Sequence, residues 1–350
     1  MNINIIKKNE GIINNSELLN PKNIKFLKEI TKDSYSDYIL DNTFCAFNSI
    51  NDDMLYLIYS NKKRSIITFN LIDNKKINEI KNAHEMLITN FRYYLDKINI
   101  IDLILSISAN DNNIKLWNFE NFNCLVNIKN INENGILLSA CFLNDNNQIL
   151  ILTSQYRKYL GNISEFIKVF DLNGNKIKEI NNSDDRTCFI DNYYDVKLFK
   201  NFIITGNYDY VKSYDYNKNK ILHKYWDKDK QNHYSATIIN HNIQIELIES
   251  SEDGNIRIWD FYSGNLLKKL KFGNYFLCGI CLWNNECLFV GCEDKTIELI
   301  DINKGIIINN LIRHHNNVVT IKKVFHHKYG DCLISQGYAN DQIKFWIYNK

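Results

Sequence analysis

At 350 residues and 41.4 kDa the chain is long enough for one large domain or two ordinary ones. Its 42 Lys plus Arg against 40 Asp plus Glu leave a net charge of +2, without the basic excess of a dedicated nucleic-acid binder. No apolar run reaches the roughly 18 residues of a membrane-spanning helix, Met1 to Gly11 lacks the apolar block of a signal peptide, and nine Cys at irregular spacing do not read as a secreted disulfide framework. The expectation is an intracellular protein, cytoplasmic or nuclear, with no transmembrane segment. The 55 Asn are interleaved with the 54 Ile along the whole chain rather than gathered in a tract, which reads as codon composition and not as disorder.

In chain order, Asn23 to Ile30 is a short apolar-alternating segment, and a recurring unit follows it. Its members are Ile66-Ile67-Thr68-Phe69, Ile114-Lys115-Leu116-Trp117, Ile167-Lys168-Val169-Phe170, Val211-Lys212-Ser213-Tyr214, Ile256-Arg257-Ile258-Trp259, Ile297-Glu298-Leu299-Ile300 and Ile343-Lys344-Phe345-Trp346. The bulky fourth residues fall 41 to 53 residues apart. Each interval repeats one order of signals: two apolar runs, a tight polar turn, the recurring unit and an outer run such as Gly264 to Leu270. Runs of four to seven residues rich in Ile, Val, Phe and Tyr, bounded by Asn, Asp and Gly, are strand signals, and no segment carries a clean helical period. The pattern predicts four strands repeated seven times.

A lone four-stranded antiparallel sheet cannot cover both its faces, whereas radial stacking covers them with its neighbours. The alternation in Ile256-Arg257-Ile258-Trp259 sets two aliphatics on one face and the charge and aromatic on the other. The chain ends just after the third strand of the seventh unit, so Asn23 to Ile30 is the expected outer strand that closes the ring. The expected fold is all-β, a seven-bladed propeller over residues 23–350, with 1–22 as an N-terminal extension.

These residues resemble the WD40 repeat: Trp259-Asp260 follows Asp253-Gly254, and the seven spacings are similar to a seven-bladed WD40 propeller. The resemblance implies a buried hydrogen-bond set of His, Ser or Thr, Asp and Trp in each blade. His84, His233 and His314 stand at the boundary positions, with Asp111, Trp117, Trp346 and, in the fifth unit, Asp253 and Trp259 as their partners. Departures are frequent. One Trp-Asp pair survives, no Gly-His occurs, and Glu249 occupies the Ser or Thr position of the fifth unit.

Cys278, Cys281, Cys287 and Cys292 lie close together, but strand positions three apart point to opposite faces, so they read as buried thiols rather than a zinc knuckle. His326-His327 reads as part of a polar turn. Ile302 to Gly330 carries Lys304, Arg313, Lys322 and Lys323 and no acid, which makes a phosphorylated headgroup on an anionic membrane the second reading of function. Recurrent Asp111, Asp209, Asp253 and Asp294 suit turn amides. Enzyme motifs are absent, and a propeller enzyme, with acids converging on the central channel, is the third reading. The longest departure is Gln155 to Phe166 in the third unit. The WD40 resemblance implies that such loops face partners, and Tyr and Arg are frequent at interface hot spots. The first reading is a non-catalytic scaffold for other proteins or peptides, part of a larger complex, with no cofactor, no metal and no direct nucleic-acid contact. Its expected contact residues are Tyr156, Arg157, Lys158 and Tyr159, with Tyr208, Glu252 and Glu293 in neighbouring turns.

Overall fold

A computed structural model describes residues 20–30, 43–129, 135–145, 148–157, 166–181, 187–207, 209–228, 231–241, 244–338 and 341–348. Seven four-stranded antiparallel sheets follow one another, and six are built in simple chain order. Blade 1 runs Phe44–Asn48, Leu55–Ser60, Ile66–Asn70 and Lys75–Ile80; blade 2 runs Asn90–Asp96, Ile101–Ser108, Asn113–Asn118 and Cys124–Ile128. Blades 3 to 6 begin at Gly135, Phe189, His233 and Leu277. Blade 7 takes Val318–His326, Gly330–Gly337 and Ile343–Tyr348 from the end of the chain and Ile24–Ile30 from its start. The ring closes as the sequence predicts.

The bulky fourth residue is marked in every blade by the same backbone event. The outer strand bulges beside Phe69, Trp117, Phe170, Tyr214, Trp259 and Ile300. Ile24–Ile30 bulges in the same place, with Phe26 opposite Trp346 and Lys28 opposite Phe345. An extra residue in one strand bends it and sharpens the local twist, so the outer edge of each sheet turns away at the level of its aromatic. Sharing this bulge identifies the N-terminal strand as a true fourth strand.

Seven apolar clusters fill the seven gaps between neighbouring blades, and each draws mainly on two of them. The closing gap packs Phe44 and Leu57 of blade 1 against Ile30, Ile334, Ile343 and Phe345 of blade 7. A polar bond stitches the same seam, Thr43 Oγ1 donating to Gln336 Oε1 at 2.8 Å, and within blade 7 Lys344 Nζ meets Glu29 Oε2 of the N-terminal strand at 2.8 Å. Three of the third-strand cations are buried rather than solvated. Arg257 and Lys212 are 0% exposed and Lys344 is 1% exposed, because both faces of a blade are covered by its neighbours.

Antiparallel order gives the disc two distinct ends. The upper end carries the turns from second to third strand and the linkers between blades. The lower end carries the turns from first to second and from third to fourth strand.

Candidate functional site

At the upper end two blades build one hydrogen-bond device. In blade 7, His314 Nδ1 meets Asp341 Oδ2 at 2.8 Å and His314 Nε2 meets Ser335 Oγ at 2.8 Å, while Trp346 Nε1 donates to the same Ser335 Oγ at 2.8 Å. In blade 2, His84 Nε2 meets Ser106 Oγ at 2.7 Å and Trp117 Nε1 donates to that oxygen at 2.8 Å, with Asp111 Oδ2 3.9 Å from His84 Nδ1. Asp341 also accepts from the amides of His315 and Asn316, and Asp111 from those of Glu85 and Met86. Each chain of bonds ties a linker to the second and third strands of its blade. In blade 7 each member is satisfied by another, which fixes one arrangement, whereas in blade 2 His84 Nδ1 has no hydrogen-bond partner among the described residues. The chain is a seven-bladed β-propeller, and these two sets resemble those of WD40 repeats.

Comparison with protein-family models gives no match. A curated relative, the U3 small nucleolar RNA-associated protein 21 homolog of Schizosaccharomyces pombe (strain 972 / ATCC 24843), is 29% identical over 79 residues, which is 23% of this chain and 9% of that protein. The stretch matched is therefore a small part of the relative's length.

Blade 5 departs from the WD40 set in a definite way. Glu249, at the Ser position, takes His233 Nδ1 at 2.6 Å. Asp253 turns instead to Arg257, which also reaches Asp227 Oδ2 at 2.7 Å and Ser251 Oγ at 2.5 Å. Glu249 Oε1 lies 3.6 Å from the same guanidinium. Burial would raise the Asp253 carboxyl, but hydrogen bonds from Arg257, Ser251 and Asn255 hold it well below the usual range. Trp259 Nε1 and His233 Nε2 have no hydrogen-bond partner among the described residues. With Glu249 at the Ser position, blade 5 gathers three carboxylates around one buried guanidinium. Asp260 caps the lower turn, accepting from Ser263 N at 2.7 Å and Gln244 Nε2 at 3.0 Å.

Of the expected contact residues, Tyr156 and Arg157 end the second strand of blade 3, Gln148–Arg157. They pair with Ile136 and Gly135 of the first strand, Gly135–Asp145. The insertion is therefore not loop from its start: Gln155 to Arg157 continues the strand. The pair Leu137↔Gln155 corresponds to Val318↔Gly337 of blade 7, and blade 3 carries two further pairs above it. Lys158, Tyr159 and Tyr208 lie outside the described residues. Glu252 Oε2 accepts from Asn232 Nδ2 at 2.7 Å, and Glu293 Oε2 from Phe276 N at 3.1 Å, so both carboxylates hold linkers. Sequence reasoning missed Trp226, which follows the outer strand of blade 4 at the upper end and is 53% exposed. It falls outside the recurring aromatic position, and that was the available signal.

The turn acids behave as expected at three positions. Asp111, Asp253 and Asp294 accept from the amide two residues on, at 3.2, 3.1 and 3.1 Å. The four cations expected to form a headgroup site are dispersed. Lys304 pairs with Asp301 at the lower end, and Arg313 lies over the Phe26 ring at the upper. Lys323 pairs with Asp331 and donates to Trp283 O. Lys322 belongs to an inner-strand layer with Cys45, Arg92, Cys141, Asp191, Thr237 and Cys281, each the corresponding residue of its first strand. Arg92 braces this layer, donating from Nε to Ala140 O and from Nη2 to Ile190 O, both at 3.0 Å. Asp191 is the carboxylate of this layer. Cys278 and Cys281 sit on Leu277–Leu282, and Cys287 and Cys292 end the neighbouring strand. Burial pushes the Cys278 thiol up to about 12 and the Cys287 thiol up to about 11. His326 ends the first strand of blade 7, and His327 follows it in the turn.

Proposed function

We propose that this propeller is a non-catalytic scaffold that holds proteins or peptides on its upper end as one subunit of a larger assembly. The observation that carries the reading is the blade 3 hairpin, which runs two residue pairs beyond the corresponding rim of blade 7 on a ring braced at every blade gap. A rigid support lowers the ordering cost of binding, and a raised hairpin offers its strand edge to a partner. Trp226, exposed at the same end, is the residue type most often found at interface hot spots. The likeness to a protein named for association with a small nucleolar RNA supports a ribonucleoprotein assembly as one setting, with contact through proteins given the balanced charge.

The test is capture of partners from cells by the tagged chain. Tyr156→Ala with Arg157→Ala should reduce recovery of the main partner about tenfold or more, as loss of hot-spot residues does, and leave the melting temperature unchanged. Trp226→Ala should weaken it further. Unchanged recovery with the triple substitution removes the upper rim of blades 3 and 4 from the interface.

A further inference from the structure

We propose that the lower end of blades 2 and 4 docks onto an anionic lipid bilayer. The first-to-second-strand turn of blade 2 presents Ile98 and Ile100, 64% and 60% exposed. The corresponding turn of blade 4 presents Val196, Leu198 and Phe199, 60%, 48% and 79% exposed. The turns stand on either side of blade 3 and are joined through it. Ile98 lines a groove with Asn144 and Ile149 of blade 3, and Asn201 of blade 4 donates to Asn144 O at 2.8 Å. Large apolar side chains gathered on two exposed turns of one end mark an interaction surface more often than ones scattered singly.

Backbone conformation marks the same tips; Phe122, the other bulky apolar residue at a left-handed position of this end, is packed against the core between blades 1 and 2. Ile100 and Phe199 sit at φ of 56° and 52°, a region where a β-branched or bulky residue is strained and Gly or Asn is cheapest. The lower turns of blades 1, 3, 5 and 6 fill their left-handed positions with Asp53, Asn74, Gly174, Gly264 and Gly305. Large apolar residues at these two tips are therefore retained against local preference and without burial in the fold.

Charge selects the occupant. Asp96 is turned inward onto the amides of Ile98 and Asn99, and Asp195 onto those of Lys197 and Leu198; the two acids are 4% and 1% exposed. Lys97, Lys197, Lys218 and Lys220 stay exposed at this end, against Glu120 as the exposed acid of the described turn residues of blades 2 to 4. Asp171, partly exposed, lines a groove with Ile98 but is engaged by the amides of Asn173 and Asn175. Apolar tips with exposed lysines beside them match an anionic interface, where headgroups meet the ammonium groups and the tips enter the acyl boundary. Two equivalent turns at one level of the disc reach a plane together, whereas a single peptide would have to bridge them across blade 3. This surface lies at the end opposite the one assigned to protein partners, so the two readings fail separately.

The test is co-sedimentation of the full chain with vesicles of phosphatidylcholine and phosphatidylserine in equal parts, and of phosphatidylcholine alone. Binding is expected to the first, to fall steeply with salt, and to be weak on the second. Ile100→Asn with Phe199→Asn places a favoured residue at each left-handed position, so the melting temperature should hold or rise while vesicle binding falls about tenfold or more. Lys97→Glu with Lys197→Glu should lower binding and flatten its salt dependence. Absence of sedimentation with the anionic vesicles at low salt overturns the proposal, as does full binding by the Asn pair. If vesicles are ignored but the Asn pair alters self-association or retention of an acidic protein, the surface is a protein interface and the lipid assignment is wrong.

Discussion

At the scale of single residues, the buried polar sets decide how this propeller responds to substitution and to pH. Removing Arg257 leaves Glu249 and Asp253 without their cation, while Asp227 keeps Lys269, and breaking a buried ion pair from one side costs about 3 to 5 kcal/mol. Arg257→Leu should therefore lower stability by about that amount in denaturant unfolding. Glu249→Ser with Arg257→Lys, the pairing found as Ser106 with Lys115 and Ser335 with Lys344, should recover much of the loss and let Trp259 Nε1 find a hydroxyl. Non-additivity in that cycle measures the coupling. Burial, and then the Lys115 charge, push His84 down to about 3 from 6.5. His314 is also lowered, burial outweighing the pull of Asp341. Between those values the unfolded chain binds a proton that the folded chain refuses, so stability falls as pH drops below the unfolded value. At about pH 5 His84 alone should lower stability by about 2 kcal/mol relative to neutrality, and His84→Ala should give a shallower fall in melting temperature between the two conditions. The three histidines were legible as boundary residues. The rewiring around Glu249 was not, because alternation reads a charge beside Trp259 as one face of a strand and cannot show that a neighbouring blade covers it.

At the scale of elements, the ring depends on a strand borrowed from the other end of the chain. Removing Ile24–Ile30 would expose the edge of Ile343–Tyr348 and strip Phe26 from Trp346, whose rings meet edge to face at 5.5 Å. A chain starting after Ile30 should melt lower by about 10 °C or more, and a smaller shift would mean that the seam of Thr43, Thr320 and Gln336 holds the ring by itself. This strand was legible because the seventh unit lacks a fourth run and Asn23 to Ile30 precedes the first. The bulge beside every fourth residue carries no composition signal and became visible only in register. The blade 3 insertion was legible as a departure in length, but its first three residues are strand, since Gly135 to Leu137 supplies a partner that a turn count does not anticipate. The lower tips were illegible for the opposite reason: left-handed positions are inferred from Gly and Asn, and Ile100 and Phe199 give no such cue.

At the scale of the whole molecule, the disc offers two ends with different chemistry. The upper end carries the buried histidine sets, the raised hairpin and Trp226; the lower end carries apolar tips among lysines. A rigid ring between them can hold a protein assembly and a surface at once without a conformational change of its own. The decisive measurement is quantitative mass spectrometry of proteins retained from its own cells by three baits: the unaltered chain, Tyr156→Ala with Arg157→Ala, and Ile100→Asn with Phe199→Asn. A stable partner set, lost from the second bait and kept by the third, is the predicted result. A bare propeller on the unaltered bait, at low and moderate salt alike, would contradict the scaffold reading.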